Sequence, residues 1–334
     1  NKKRHFKYFT SVSKKIFKHA NYKFIEYRKI AYGISVVVLI LGIASYFHGF
    51  DKGVEFNGGR SYTIKFSTPP NIENVRNDLK GVFDEFPTIK TVGSTDQLNI
   101  TTSYRITESD PNLDSIVEAK LYSGLNKYLP AGTTYQDFDK KFKRSSQKVL
   151  PTISADLKSG ATKATIFSII IICLYIFIRF RDWRFSLGTI FSLLHDVLVT
   201  LIVFSFARSF VNFPLEIDQY FIAAILTVIG FSMNDTIIVY DRIREDSRLL
   251  KNENKGVIIN TAINQTLSRT IMTSVTVFLT LLILFIFGGE VTKGFSFAML
   301  IGVITGTYSS IFVAAPILMD FGKNRPLGKK EENK

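Results

Sequence analysis

Apolar positions in this chain fall into long blocks. The first covers residues 30–49 (IAYGISVVVLILGIASYFHG) and carries no acidic or basic side chain except His48 near its far end. Five more follow at about 161–180, 185–207, 217–240, 270–287 and 295–319. Each is about 20 residues long, enough to cross a hydrocarbon core as helix. A buried helix of a soluble protein is usually shorter and keeps a polar face, and SIIIICLYIFI and FLTLLILFIF have none. The pattern predicts a six-helix transmembrane bundle: span 1 over 30–50 and spans 2–6 within 160–320.

Between the first two spans, residues 51–159 are polar and read as a small α+β domain. In SYTIKF, Tyr62, Ile64 and Phe66 alternate with polar residues, the period of a half-buried strand. After Pro69-Pro70, Ile72, Val75, Leu79, Val82, Phe83 and Phe86 recur at helical spacing, with Asn71 placed to cap. TIKTVG and QLNITTSYRI predict two further strands, and Leu113, Ile116, Val117, Leu121, Leu125 and Leu129 line one face of a second helix that ends by Gly132. A last strand is expected over 134–138. The order β-α-β-β-α-β is that of the ferredoxin-like motif, which by itself argues no function.

Charge orients this plan. The 334 residues carry a net charge of +14, and the basic residues flank the apolar blocks instead of lining one surface. This favours membrane topology over nucleic acid as the reason for the charge. Lys2, Lys3, Arg4, Lys7 and six more basic residues precede the first span; Arg179, Arg181 and Arg184 join spans 2 and 3; Arg242, Arg244, Arg248, Lys251 and Lys255 join spans 4 and 5; Lys323, Arg325, Lys329, Lys330 and Lys334 close the chain. The other connections hold little more than Arg208 or Lys293. By the positive-inside rule, a basic lead-in (1–29) and a tail (321–334) are cytoplasmic, and 51–159 is extracytoplasmic. Cys173, inside an apolar block, can form no internal disulfide, and no Cys/His cluster points to a metal. Residue 1 is Asn, and the lead-in lacks the apolar core of a signal peptide. Either the start has been removed or the chain continues a longer polypeptide.

Ionisable residues inside spans are rare and usually face a bundle interior, a partner or a water path. Asp235, in GFSMNDTIIVYDRIRE, lies seven residues before Arg242, about 10 Å deep along a helix. It is either a proton- or ion-handling group or a structural polar residue satisfied by Asn234, Ser232 or a neighbouring helix. Arg269 is either a flanking charge or the cation that pairs with Asp235. His195-Asp196, partway along span 3, is either a polar pair packed between helices or part of a proton relay; no further ligand stands at helical spacing to make it a metal site. Asp218 reads as interfacial. Gly302, Gly306 and Ser310 recur every four residues on the last span, a face for close approach of another helix. No Ser/His/Asp set, paired catalytic carboxylates or phosphate loop is present, so neither an enzyme nor a cofactor is expected.

These motifs together resemble the SecF family, within the resistance-nodulation-division superfamily. VEFNGGRSYTIKF is similar to its D-F-x-G-G stretch, with Glu55 in the usual Asp position and Phe56, Gly58 and Gly59 in place. VLPTISADL, with Pro151, is similar to V-G-P-x-V-G-x-E-L, although Leu150 and Ser154 replace the glycines. YIFIRFRDWRFSLGTIFSLLHDVLVT matches the R-F…H-D segment, GFSMNDTIIVYDRIRE the G-[YF]-S-x-N-D-T signature, and LSRTIMTS the S-R-T-x-x-T-S element. The resemblance implies a non-enzymatic accessory subunit of the Sec translocase in the bacterial cytoplasmic membrane, driven by the proton-motive force. It implies as partners SecD (or a SecD half of the same polypeptide), the SecYEG translocon, YajC, translocating preproteins and membrane lipid. It also implies a role in proton movement for Asp235 and Arg269, with Asn234, His195 and Asp196 as further candidates. Two rival readings are a small-molecule efflux permease of the same superfamily, which should have a much larger outer domain, and a non-conducting translocon scaffold.

Overall fold

The protein is described from a computed structural model, which covers residues 21–321 apart from 109, 209, 212, 214, 251 and 289, and omits the side chains of 290 and 291. The lead-in over 1–20, Lys251 and the tail beyond 321 lie outside the described residues.

Among the described residues, six helices are long and apolar enough to span a membrane. They are α1 (Arg28–His48), α6 (Pro151–Phe180), α7 (Trp183–Ala207), α8 (Gln219–Leu249), α9 (Lys255–Phe287) and α10 (Glu290–Ser309). The last continues through a wider turn at Ser310–Ala314 into α11 (Ala315–Asp320). Several outrun the apolar blocks: α6 begins at Pro151, not near 161, and α9 at Lys255, not near 270. Hydropathy marks only the part of a helix in lipid, whereas its hydrogen-bond ladder runs on into water until a cap ends it. Pro151 opens α6 at its first turn, where a missing N–H costs nothing. Asp182 caps α7 by accepting from Arg184 N at 3.1 Å, and Asp218 caps α8 by accepting from Phe221 N at 2.7 Å.

Helix α8 is central and packs against α7, α9 and α10; α1 lies on α7, and α6 is peripheral. The small-residue stripe of the last span faces α8. A Cβ at Gly302 would stand 2.1 Å from Val228 Cγ2, and one at Gly306 would stand 2.9 Å from Ser232 Cβ. Ser310 Oγ stands 2.9 Å from Thr236 Oγ1. Val228, Ser232 and Thr236 recur every four residues, so the two stripes interdigitate along one line.

The region between α1 and α6 holds β1 (Asp51–Lys52), α2 (Val54–Asn57), β2 (Gly59–Lys65), α3 (Ile72–Phe83), β3 (Thr88–Val92), β4 (Ser94–Thr102), α4 (Leu113–Leu125), α5 (Tyr135–Asp137) and β5 (Lys143–Val149). Strands β3-β4-β2-β5 form one antiparallel sheet, the ferredoxin-like order. Tyr62, Ile64, Leu98 and Ile100 pack with Val75, Leu79, Val117 and Leu121 in its core. The fourth strand differs from expectation. Residues 134–137 form a capping box, with Thr134 Oγ1 accepting from Asp137 N, so the chain turns helical there. The strand comes later, in KRSSQKV, whose side chains before Val149 are mostly exposed. A charged edge strand has no alternation to read.

At the membrane end of this domain, β1 pairs in parallel with β6 (Glu216–Ile217). Lys90 of β3 reaches down to this pair, 2.9 Å from Glu216 Oε1 and 3.6 Å from Asp51 Oδ2, and Arg208 Nη1 lies 3.0 Å from Asp51 Oδ1.

Candidate functional site

The helical period places Val228, Ser232, Asp235, Thr236 and Val239 of α8 on the face turned into the bundle, and all are buried. Asp235 is fully buried. Its Oδ2 accepts from Ser274 Oγ of α9 at 3.3 Å, and its Oδ1 has no hydrogen-bond partner. Ser274 has one proton to offer among Asp235, the Thr270 carbonyl at 2.8 Å and Thr307 Oγ1 of α10 at 2.6 Å. Among the described residues, the carboxylate therefore has a shared hydroxyl donor and no bonded cation. An ionised carboxylate at a helix centre costs a few kcal/mol, and one shared hydroxyl offsets little of it. A proton or an approaching cation would remove that cost.

A second carboxylate lies close by on α7. Asp196 is fully buried, and its Oδ2 accepts from Ser232 Oγ at 2.6 Å and Ser309 Oγ at 2.8 Å. Ser192 Oγ donates to Ser309 at 2.8 Å. The other oxygen, Oδ1, lies 3.5 Å from His195 Nδ1. Neither nitrogen of this buried ring has a hydrogen-bond partner, and Tyr308 stacks on it at 5.7 Å. Ser232 is three positions before Asp235 on the same face of α8, so both carboxylates share the crossing of α7, α8, α9 and α10.

The structure thus brings Asp235, Asp196 and His195 to one crossing. Asn234 and Arg269 are not part of it. Asn234 is exposed on the outward side of α8, about 100° around the helix from Asp235. Arg269 is exposed and, among the described residues, forms no ion pair; the Asp235–Arg269 pair is not made in this conformation. Sequence reasoning missed the hydroxyls Ser192, Ser274, Thr307 and Ser309. Their signal was serine and threonine recurring at turn spacing inside apolar blocks. That signal is weak, because such hydroxyls often bond only their own helix carbonyls, as Thr200 does to Asp196 O at 2.9 Å.

The Glu55–Gly59 motif lies where the outer domain joins the bundle. Gly58 and Gly59 have φ of 73° and 132°, values that favour glycine. A Cβ on Gly59 would meet Thr102 O at 2.8 Å, and one on Gly58 would meet Pro151 Cα at 3.5 Å. The turn therefore brings the start of the domain beside Pro151, where the chain leaves it. Phe56 is buried, and buried Glu55 accepts from Gln147 Nε2 at 2.9 Å. Close by is Asp218, whose carboxyl is pushed up to about 6 by burial, with Glu55 and Glu216 adding to the effect.

Known proteins resemble this chain in sequence and in fold. The family model for the protein export membrane protein SecD/SecF, C-terminal, matches residues 131–324. The protein translocase subunit SecF of Rhodothermus marinus is 41% identical over 307 residues, covering 92% of this chain and 95% of that one. The corresponding subunit of Haemophilus influenzae is 38% identical, with 91% and 87% covered. Among solved structures, SecDF of Thermus thermophilus, a translocon-associated membrane protein, superposes with a TM-score of 0.76 at 29% identity. A SecDF structure in a super-membrane-facing form gives 0.60 at 27% identity. The chain covers 39% of the first SecDF chain and 38% of the second.

Proposed function

The chain belongs to the SecD/SecF protein-export family, and on that premise we propose that its buried Asp235 takes up and releases the protons that drive export. It is a multi-pass membrane subunit that serves the Sec translocase as an accessory and works with SecD. In the proposed setting it sits in the bacterial cytoplasmic membrane with both termini in the cytoplasm. Residues 51–159 then lie outside, and SecYEG, YajC and emerging preproteins are neighbours. It carries out no chemistry on a substrate of its own.

The observation that carries the proposal is that Asp235 is fully buried among α8, α9 and α10, with one shared hydroxyl donor and, among the described residues, no ion-paired cation. In this arrangement the carboxyl is accommodated as the acid. A shift of α9 along α8 that brings Arg269 inward would accommodate it as the anion, and the proton would leave. Alternating the two arrangements, with water reaching the site from opposite sides, gives net proton flux. The hydroxyls at Ser274 and Thr307 form the lining over which the proton exchanges. Movement at the crossing reaches the outer domain through the connection that follows α1 and the start of α6, which meet at Gly58 and Pro151.

The test is export rate against imposed proton-motive force in vesicles containing SecYEG, SecD and this subunit. Asp235→Asn should keep complex levels and remove the force dependence; Arg269→Met should do the same. Wild-type force dependence in Asp235→Asn would overturn the carrier role and leave a scaffold.

A further inference from the structure

We infer that the cleft between α6 and the base of the outer domain is a binding site for one anionic phospholipid, taken from the leaflet on the outer domain's side. The cleft has a volume of about 500 Å³ and is lined by Lys52, Phe56, Lys158, Thr162, Ile166 and Ile222, among others.

Its level in the membrane follows from helix length. Counting about 20 residues of helix back from Phe180, the basic end of α6, reaches residue 161. Lys158 and Thr162 therefore lie at headgroup depth, and Ile166 lies one turn further into the hydrocarbon. Lys52 follows closely on the end of α1 at His48, and Ile222 lies in the first turn of α8. All three elements reach the same boundary.

Among the described residues, the two lysines at the cleft form no ion pair. Lys65, Lys90, Lys127, Lys141, Lys143 and Lys148 of the outer domain each pair with a carboxylate. Lys52 and Lys158 line the same cleft, are both exposed, and form no ion pair among the described residues. Two cations facing one small volume repel unless an anion lies between them. Thr162 and Thr165 donate to carbonyls of their own helix at 2.9 and 3.0 Å, so their oxygens remain free to accept from headgroup hydroxyls.

The rest of the wall is apolar and opens toward lipid. Phe56 is buried at its back, while Ile166 is 51% exposed and continues into Phe167, Ile170 and Ile171 on the outward side of α6. A free anion gains nothing from such a wall, whereas an acyl chain does. Lysines at the headgroup level above an isoleucine and phenylalanine wall match a phospholipid with a net negative head. Lys52 and Phe56 belong to the chain entering the outer domain, and Lys158 to the chain leaving it. A bound lipid would tie the two connections together.

Native mass spectrometry of the complex with SecD tests the site, using phosphatidylglycerol, phosphatidylcholine of the same chains, and inorganic phosphate. Phosphatidylglycerol should be retained over phosphatidylcholine. Lys52→Gln with Lys158→Gln should weaken that retention roughly thirtyfold, the electrostatic loss expected of two lysines near an anionic surface. Ile222→Trp, which fills the cleft with both lysines intact, should also weaken it; Lys163→Gln, on the same helix but outside the cleft, should not. A photoactivatable group attached at Ile166→Cys should capture lipid. Equal retention by the double variant and the wild type, equal retention of the two lipids, displacement by inorganic phosphate, or capture of SecD in place of lipid would each overturn the site. The readout is lipid retention, so its failure leaves the proton role of Asp235 untouched.

Discussion

Gly306 of α10 lies so close to Ser232 of α8 that a Cβ at 306 would stand 2.9 Å from the serine Cβ. The same serine donates to Asp196 at 2.6 Å, so a close helix contact and one of the buried carboxylates share a residue. Gly306→Ala should overpack this line at about 1–3 kcal/mol and displace the Asp196 donor. Gly302→Ala, facing Val228, should cost a similar amount, while Gly33→Ala, with open space around it, should be silent. Thermal unfolding of the complex checks the ranking; equal midpoints for Gly306→Ala and Gly33→Ala would refute it.

Asp196 Oδ2 accepts from two serines on two different helices. Ser232→Ala or Ser309→Ala alone should cost only about 0.5–1.5 kcal/mol, because the other serine still serves the oxygen. Losing both leaves that oxygen without a donor, so the double variant should fall further than the sum of the singles. A double-mutant cycle on unfolding measures the coupling, and simple additivity would remove the clamp.

In the outer domain, the buried Arg60 donates through Nε to Asp114 at 2.8 Å, and Lys148 Nζ donates to the same carboxylate at 2.7 Å. Lys148 and Arg60 hold the Asp114 carboxyl below the usual carboxylate range. A depressed carboxyl adds stability that is present above the unfolded value and is lost as pH falls through the folded one. Asp114→Asn should therefore destabilise β2 and α4 at neutral pH and flatten their acid dependence below about pH 4. Hydrogen exchange across a pH series reads both effects; an unchanged acid limb in the variant would assign it elsewhere.

Asp218 behaves in the opposite sense. Its carboxyl is raised to about 6, so its contribution is full below about pH 4, the unfolded value, and is lost as pH rises through about 6. The amides of Gly53 and Phe56 at the junction should exchange faster at pH 7 than at pH 4.5, after correction for intrinsic rates. In Asp218→Asn that difference should vanish. If it persists, the titrating group is another.

Orientation is open to chemical labelling. On a Cys173→Ser background, Thr107→Cys should react with a membrane-impermeant maleimide in intact cells, and Lys255→Cys should react only after lysis. The reverse pattern would invert the topology and, with it, the direction of proton entry proposed for Asp235.

Six apolar runs, an alternating distribution of lysine and arginine, and two amphipathic helices among short strands were enough to read a six-helix bundle carrying a small ferredoxin-like domain. Such features are legible because water and lipid impose them residue by residue. The edge strand Lys143–Val149 escaped because it buries almost nothing, and the aqueous ends of α6 and α9 escaped because hydropathy is blind to helix outside the hydrocarbon. At the candidate site, the depth of Asp235 in its span and the stripe of Gly302, Gly306 and Ser310 could be read from spacing alone. Three things depended on how the helices rotate and cross: that Ser274 and Thr307 reach toward Asp235, that Ser232 joins α8 to Asp196, and that Asn234 and Arg269 are left exposed. A helix presents a side chain every 100°, and which of those directions is buried is decided by neighbours far along the chain.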